Sequence, residues 1–117
     1  MDQSFAITAL GALAQDTRLS VFRLLVRAGS QGMIAGAIAE HIGIPGSTMS
    51  HHLATLERAG LVLSQRESRH IHYTANFDGM RSLLGFLMED CCQGNPELCS
   101  NLVSATHCES VIAGAEQ

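Results

Sequence analysis

Residues 47–62 read STMSHHLATLERAGLV, and the rest of the architecture can be inferred outward from this segment. Met49, Leu53 and Leu56 recur at intervals of four and three residues, which is the spacing of one face of an α-helix. We expect this apolar face to pack into the core of the domain.

The opposite side of the same predicted helix is polar, with Ser47, Thr48, His51, Thr55 and Arg58 along it. Short hydroxyl groups and an imidazole suit a face that enters a major groove, where side chains bond to phosphates and base edges. An ordinary solvent-exposed face would have the same composition, so the helix alone leaves both interpretations open. His52 lies on the apolar side, and we interpret it as a packing residue rather than a DNA contact.

Two helices are predicted at the start of the chain. Apolar residues at helical spacing indicate the first over residues 4–14. Asp16 is expected to be the N-cap of the second, because its carboxylate can accept from free backbone N–H groups, and Gly29 is expected to end it.

A short third helix is indicated by the isoleucines at 34, 38 and 42, and Gly43 stops it. Residues 44–46 then form a tight turn, and Ser47 is expected to cap the fourth helix, which ends near Gly60. Short helix, turn and second helix in this order are typical of a helix-turn-helix.

After this helix the pattern changes to strand. Residues 61–63 and 71–74 are β-prone, and they flank a polar hairpin tip that contains Arg66 and Arg69. From this tip the two arginines can reach a minor groove or the DNA backbone, which favours the DNA-binding interpretation of the preceding helix. A last helix follows over residues 77–88. The predicted fold is therefore mostly α with a small β-hairpin, a winged helix-turn-helix.

Charge is unevenly distributed along the 117 residues, which suffice for one domain. The formal net charge is −4, but residues 1–85 carry all seven basic residues, every one an arginine, against six of the eleven acids. The negative average therefore does not exclude a nucleic-acid partner.

No apolar run is long enough to span a membrane and no secretory signal is evident, so we expect a cytoplasmic protein.

The four cysteines are Cys91, Cys92, Cys99 and Cys108, all within eighteen residues near the C-terminus. In a cytoplasmic protein such a cluster indicates a soft-metal or redox site rather than structural disulfides. We expect a DNA-binding and dimerisation domain over residues 1–88 and a sensor tail over residues 89–117.

These segments resemble the ArsR/SmtB family of metal- and metalloid-responsive repressors. Residues 47–62 look like its recognition helix, residues 66–73 look like its wing, and AQDTRL at residues 14–19 resembles the entry to its second helix. At Ser68 the family often has glycine. The resemblance covers roughly residues 8–88, and it implies a winged-helix dimer that binds operator DNA.

Two sensor sites of that family have no counterpart in this sequence. One places cysteines on the third helix, where residues 37–42 have none, and the adjacent Glu40 and His41 are interpreted as a surface pair. The other places aspartate and histidine on the last helix for zinc, where Asp78 is present but no histidine follows before Cys91. The tail cysteines remain, and they resemble the arsenite sites of some family members.

Coordination chemistry supports the same assignment. As(III) and Sb(III) are soft three-coordinate centres, and Cys91, Cys92 and Cys99 supply three thiolates. If Cys108 or His107 were a fourth ligand, tetrahedral zinc, cadmium or lead would fit instead. A redox switch through a Cys92–Cys99 disulfide, or through a disulfide to Cys108, is a further alternative, whereas adjacent cysteines sit too close to be bridged easily.

The sequence thus predicts a homodimeric repressor that releases double-stranded operator DNA when As(III), or Sb(III), binds the tail. A metal-storage or metallochaperone module would need no polar helix face and no basic wing. An enzyme is disfavoured because no glycine-rich turn leads from a cysteine into a helix. The residues predicted to contact DNA are Ser47, Thr48, Ser50, His51, Thr55, Arg58, Arg66 and Arg69. Those predicted to form the dimer interface are Leu10, Leu13, Met80, Leu83, Leu84 and Leu87.

Overall fold

A computed structural model describes residues 2–89. In chain order the elements are α1 (Gln3–Leu13), α2 (Asp16–Ala28), a 3-10 turn (Gly29–Gln31), β1 (Met33–Ile34), α3 (Ala35–Ile42), α4 (Gly46–Arg58), β2 (Val62–Glu67), β3 (His70–Ala75) and α5 (Phe77–Leu87). Helices α3 and α4 form the helix-turn-helix, and β2 and β3 form the wing. The predicted winged helix-turn-helix is confirmed. The first compact unit of the chain ends at Leu83.

The apolar face of α4 lies at the centre of the core. Met49, Leu53 and Leu56 are completely buried, as the spacing predicted. They share the interior with other large aliphatic side chains, among them Val21, Leu25, Ile38, Leu61 and Val62. Burying one such side chain stabilises the fold by about 1.5–3 kcal/mol, so α4 is firmly held on this side.

The sheet has three antiparallel strands in the order β1-β3-β2. Strand β1 was not predicted, because Ile34 was assigned to the third helix; it instead pairs with His72 of β3. Two residues are too few to show a strand periodicity, and the pairing depends on a turn at Gly32. This glycine has a φ of 65°, and a Cβ there would overlap the carbonyl oxygen of Tyr73.

Two helix starts also differ from the predictions. Helix α2 begins at Asp16, and its N-cap is Gln15, whose side chain accepts from the Arg18 N–H at 2.8 Å. Asp16 therefore lies in the first turn, where its charge still favours the helix dipole. Helix α4 begins at Gly46 after Pro45, with no side-chain cap, so Ser47 is a first-turn residue rather than the N-cap. The fixed φ of proline already sets the chain direction at this point.

Helix α1 packs through small residues. Ala6, Ala9 and Ala12 are buried, whereas Phe5 and Leu10 remain 59% and 42% exposed. The alanines let α1 approach its neighbours closely, and the larger apolar side chains are left at the surface. An exposed apolar surface of this kind is typical of an interaction site.

Asn76 fixes the start of α5. Its side-chain oxygen accepts from the Gly79 N–H at 3.2 Å, while its amide group donates to the carbonyl of Gly60 at 2.9 Å. One side chain thus caps α5 and ties it to the end of α4. Gly79 lies so close to Gly60 that an added Cβ would overlap the carbonyl oxygen of Gly60.

Candidate nucleic-acid interface

The polar side of α4 is at the surface, where the sequence placed it. Six residues of α4 were predicted to contact DNA, and all of them except the half-buried Thr55 are exposed. This set is called the reading face below and consists of Ser47, Thr48, Ser50, His51, Thr55 and Arg58. The Thr55 hydroxyl donates to the His51 carbonyl at 3.1 Å, and Arg58 Nη2 lies 3.5 Å from the same hydroxyl. The reading face therefore offers hydroxyl, imidazole and guanidinium groups on a helix whose other side is rigidly packed.

His52, next to the reading face, is partly withdrawn from solvent. It is half-buried, and Arg18 Nη1 lies 3.3 Å from its Nδ1. Burial, and then the charge of Arg18 and the neighbouring His51, lower the pKa of His52 from its ordinary value of 6.5. This half-buried position is in keeping with the predicted packing role, which stays a prediction. The partner, 34 residues away in the chain, could not be inferred from spacing.

The wing differs in detail from the predicted hairpin tip. Arg66 lies within β2, opposite Ile71, and only Ser68 and Arg69 form the turn between the strands. Both arginines are exposed. Ser68 has a φ of 58°, a left-handed conformation that favours glycine, which accounts for the frequent glycine at this position in proteins that the segment resembles.

A polar contact orients the wing against α4. Ser64 Oγ of β2 donates to Glu57 Oε2 of α4 at 2.7 Å. Tyr73 is paired with Ser64 across the strands, and burial, followed by the charge of Glu57, raises the pKa of its phenol. Because side chains alternate along a strand, Arg66 shares the face of Ser64 and lies on the α4 side of the wing. Residue type and spacing did not predict this contact.

The other face of the wing carries a different set of side chains. A groove of about 540 Å³ is lined there by residues that include Leu63, Gln65, Glu67 and His72. On this face Glu67 Oε1 lies 3.1 Å from His72 Nε2. The carboxylate of Glu67 is therefore paired with a histidine, although the residue is close in sequence to the wing arginines. Arg66 therefore lies on the face of the wing opposite this carboxylate.

The predicted dimer-interface residues differ in exposure. Leu10 and Leu87 are exposed, Leu13, Met80 and Leu84 are half-buried, and Leu83 is buried. Exposure of Leu10 leaves it free to contact another chain, whereas Leu83 already contributes to the interior. The interface as a whole remains a prediction.

The predicted ligand-binding cysteines, Cys91, Cys92, Cys99 and Cys108, lie outside the described residues. Within residues 2–89, no three histidine, cysteine or acidic side chains are grouped as a metal site would require. Glu40 and His41 are both exposed on α3. In the same part of the chain, no helix is both long and apolar enough to cross a bilayer.

Known proteins resemble this chain in sequence. A family model described as a helix-turn-helix domain matches residues 13–65. The nodulation protein NolR of Rhizobium meliloti is 32% identical over 88 residues, spanning 75% of this chain and 70% of NolR. The transcriptional repressor SdpR of Bacillus subtilis is 30% identical over 87 residues, spanning 74% of this chain and 93% of SdpR.

A solved structure extends the likeness to three dimensions. The homodimeric winged helix-turn-helix DNA-binding domain of Mb0332 from Mycobacterium bovis, a possible ArsR-family transcriptional regulator, superimposes with a TM-score of 0.61. It is 27% identical, and the match covers 74% of this chain and 81% of that one. With the identity to NolR and SdpR, this establishes that the chain belongs to the ArsR/SmtB family of winged helix-turn-helix transcriptional regulators.

Proposed function

We propose that this protein is a transcriptional repressor that binds operator DNA through the reading face and the wing, and that it is not an enzyme. The observation that carries the proposal is the division of α4 into two sides. Met49, Leu53 and Leu56 are completely buried, while the reading face opposite them is polar and open to solvent. The exposed Arg66 and Arg69 of the wing supply positive charge that can bind phosphates.

The protein acts as a homodimer on a palindromic site. Two observations support this: the Mb0332 domain is homodimeric, and α1 leaves Phe5, Ile7 and Leu10 exposed. Two-fold symmetry would place two reading faces in successive major grooves, about 34–36 Å apart. A repressor role is in keeping with SdpR, a transcriptional repressor.

As(III), or Sb(III), is the proposed inducer, bound by Cys91, Cys92 and Cys99. The support is the donor set in the sequence: three thiols within nine residues suit a soft three-coordinate centre. The inducer must bind more tightly to the dimer state with poor DNA geometry, and such coupling is typically about 1–3 kcal/mol. If Cys108 is a fourth ligand, a divalent metal becomes the better candidate.

Selection from a random library of double-stranded DNA tests the DNA-binding proposal. We expect the reduced wild-type protein to retain duplexes with an inverted repeat, and the tightest of these is called the selected duplex below. Native mass spectrometry should then detect two protein chains per selected duplex. Retention of no sequence above background, or a single chain per duplex, would contradict the proposal.

A further inference from the structure

Arg18 connects three helices through one side chain. At the start of α2 its backbone N–H is capped by Gln15. Its Nε donates to the carbonyl of Ala12, in the last turn of α1, at 2.7 Å. Its Nη1 lies 3.3 Å from His52 Nδ1 on α4. The guanidinium therefore bonds the end of α1 and the helix that carries the reading face at the same time.

The hydrogen bond between Arg18 and His52 determines which ring nitrogen of His52 carries the proton. A guanidinium has donors and no acceptor, so His52 Nδ1 must accept this bond. The ring is then neutral and carries its proton on Nε2, in agreement with the lowered pKa of His52. Because the guanidinium is planar, its two N–H directions are fixed relative to each other, so Ala12 and His52 are held in one geometry.

His52 is also adjacent to the reading face. Its ring centroid lies 5.9 Å from that of His51, the imidazole that points to solvent. His52 occupies the turn of α4 between the buried Met49 and Leu53, so a bond to its ring restrains the rotation of the helix about its own axis in addition to the apolar packing. A rotation of α4 would redirect every side chain of the reading face.

We propose that Arg18 is a positioning residue for operator binding, which holds α4, through His52, in a fixed orientation relative to the end of α1. This inference depends on the proposed function, because it concerns the DNA affinity of the reading face. Since α1 is also a predicted dimer helix, the same bond would make the orientation of the reading face sensitive to changes in the dimer interface.

A double-mutant cycle on the selected duplex tests this role. Arg18→Gln and His52→Leu should each weaken binding about tenfold, and the double variant should be no weaker than the weaker single variant. Arg18→Lys keeps the charge but lacks the planar fork, so it should behave like Arg18→Gln. Arg23→Gln removes a charge from the exposed side of the same helix and should change affinity much less.

Thermal unfolding of each variant separates positioning from folding. Affinities are measured well below every melting temperature, so that a variant that is merely less stable would bind as the wild type does. Additive effects of Arg18→Gln and His52→Leu, or equal losses for Arg18→Gln and Arg23→Gln, would overturn the proposal.

Nitrogen NMR of the His52 ring supplies a measurement without DNA. We expect the wild type to show a neutral ring with the proton on Nε2, and Arg18→Gln to shift both ring nitrogen signals, while Arg23→Gln leaves them in place. Ring signals unchanged by Arg18→Gln would refute the bond itself. Failure of the wild type to select any duplex would instead count against the proposed function, whatever the ring signals show.

Discussion

Single residues on the reading face and the wing provide the sharpest test of DNA binding. His51 and Arg69 are exposed, so replacing either by alanine should leave the free energy of unfolding nearly unchanged. We expect His51→Ala to weaken binding of the selected duplex by about 1–3 kcal/mol if it contacts a base edge. Arg69→Ala should also reduce the slope of log affinity against log salt, by about 0.9 for one lost phosphate contact. Fluorescence anisotropy at several salt concentrations measures both, and unchanged affinity in both variants would refute the assigned face.

His52 predicts a pH dependence of stability. Its pKa in the folded protein lies below the ordinary 6.5, so the unfolded chain binds a proton more readily. The contribution of the neutral His52 ring to the free energy of unfolding is complete above about pH 6.5. It is lost as the pH falls from there toward the pKa of His52 in the folded protein.

Urea unfolding of the wild type and of His52→Leu, from about pH 7 to about pH 5, isolates this contribution from that of the other histidines. We expect the wild type to lose more stability on acidification than the variant. Parallel curves for the two proteins would show that the environment of His52 does not disfavour its charge.

Among the elements, α5 comes into close backbone contact with the end of α4 at Gly79. Alanine in place of a helical glycine ordinarily stabilises a helix by about 0.5–1 kcal/mol. At Gly79 the new Cβ would overlap the backbone carbonyl of Gly60, so we expect Gly79→Ala to destabilise the protein by about 1–3 kcal/mol. Gly36→Ala in α3 meets no atom within 4 Å and should be neutral or stabilising. Equal effects of the two substitutions on the urea midpoint would contradict the close approach.

Periodicity predicted the elements with a long apolar face and failed for those made by distant contacts. The spacing of Met49, Leu53 and Leu56 gave α4 and its two sides, because the buried side of a helix follows its own period. Strand β1 escaped prediction because two residues, Met33 and Ile34, have no period and depend on pairing with β3.

The candidate interface was predictable to a similar extent. The exposed members of the reading face follow from the helix period, and Arg69 follows from the hairpin turn. The bonds that orient this surface, from Arg18 to His52 and from Ser64 to Glu57, join residues brought together only by the fold. Residue type and spacing contain no information on such pairs.

At the level of the whole molecule, exposed apolar residues on α1 predict self-association. Leu10 is 42% exposed, and we expect Leu10→Glu to yield folded monomers, because a buried carboxylate at an interface is costly. Thr8→Glu, also on an exposed position of α1, is the matched control and should remain dimeric. Sedimentation at micromolar concentration distinguishes the two. Dimeric Leu10→Glu would place the interface elsewhere, and a monomeric wild type would exclude the symmetric mode of binding.

Inducer-driven release of DNA requires both DNA binding by the reading face and ligand binding by the cysteine tail. One titration measures both. The reduced protein is bound to the labelled selected duplex, and anisotropy is followed as arsenite is added to the wild type, Cys91→Ser, Cys92→Ser, Cys99→Ser and Cys108→Ser. We predict that all five bind the duplex, that the wild type and Cys108→Ser release it, and that the other three do not. Release from every cysteine variant, or retention by the wild type, would contradict the three-thiol sensor. Loss of response in Cys108→Ser as well would indicate a four-coordinate site for a divalent metal.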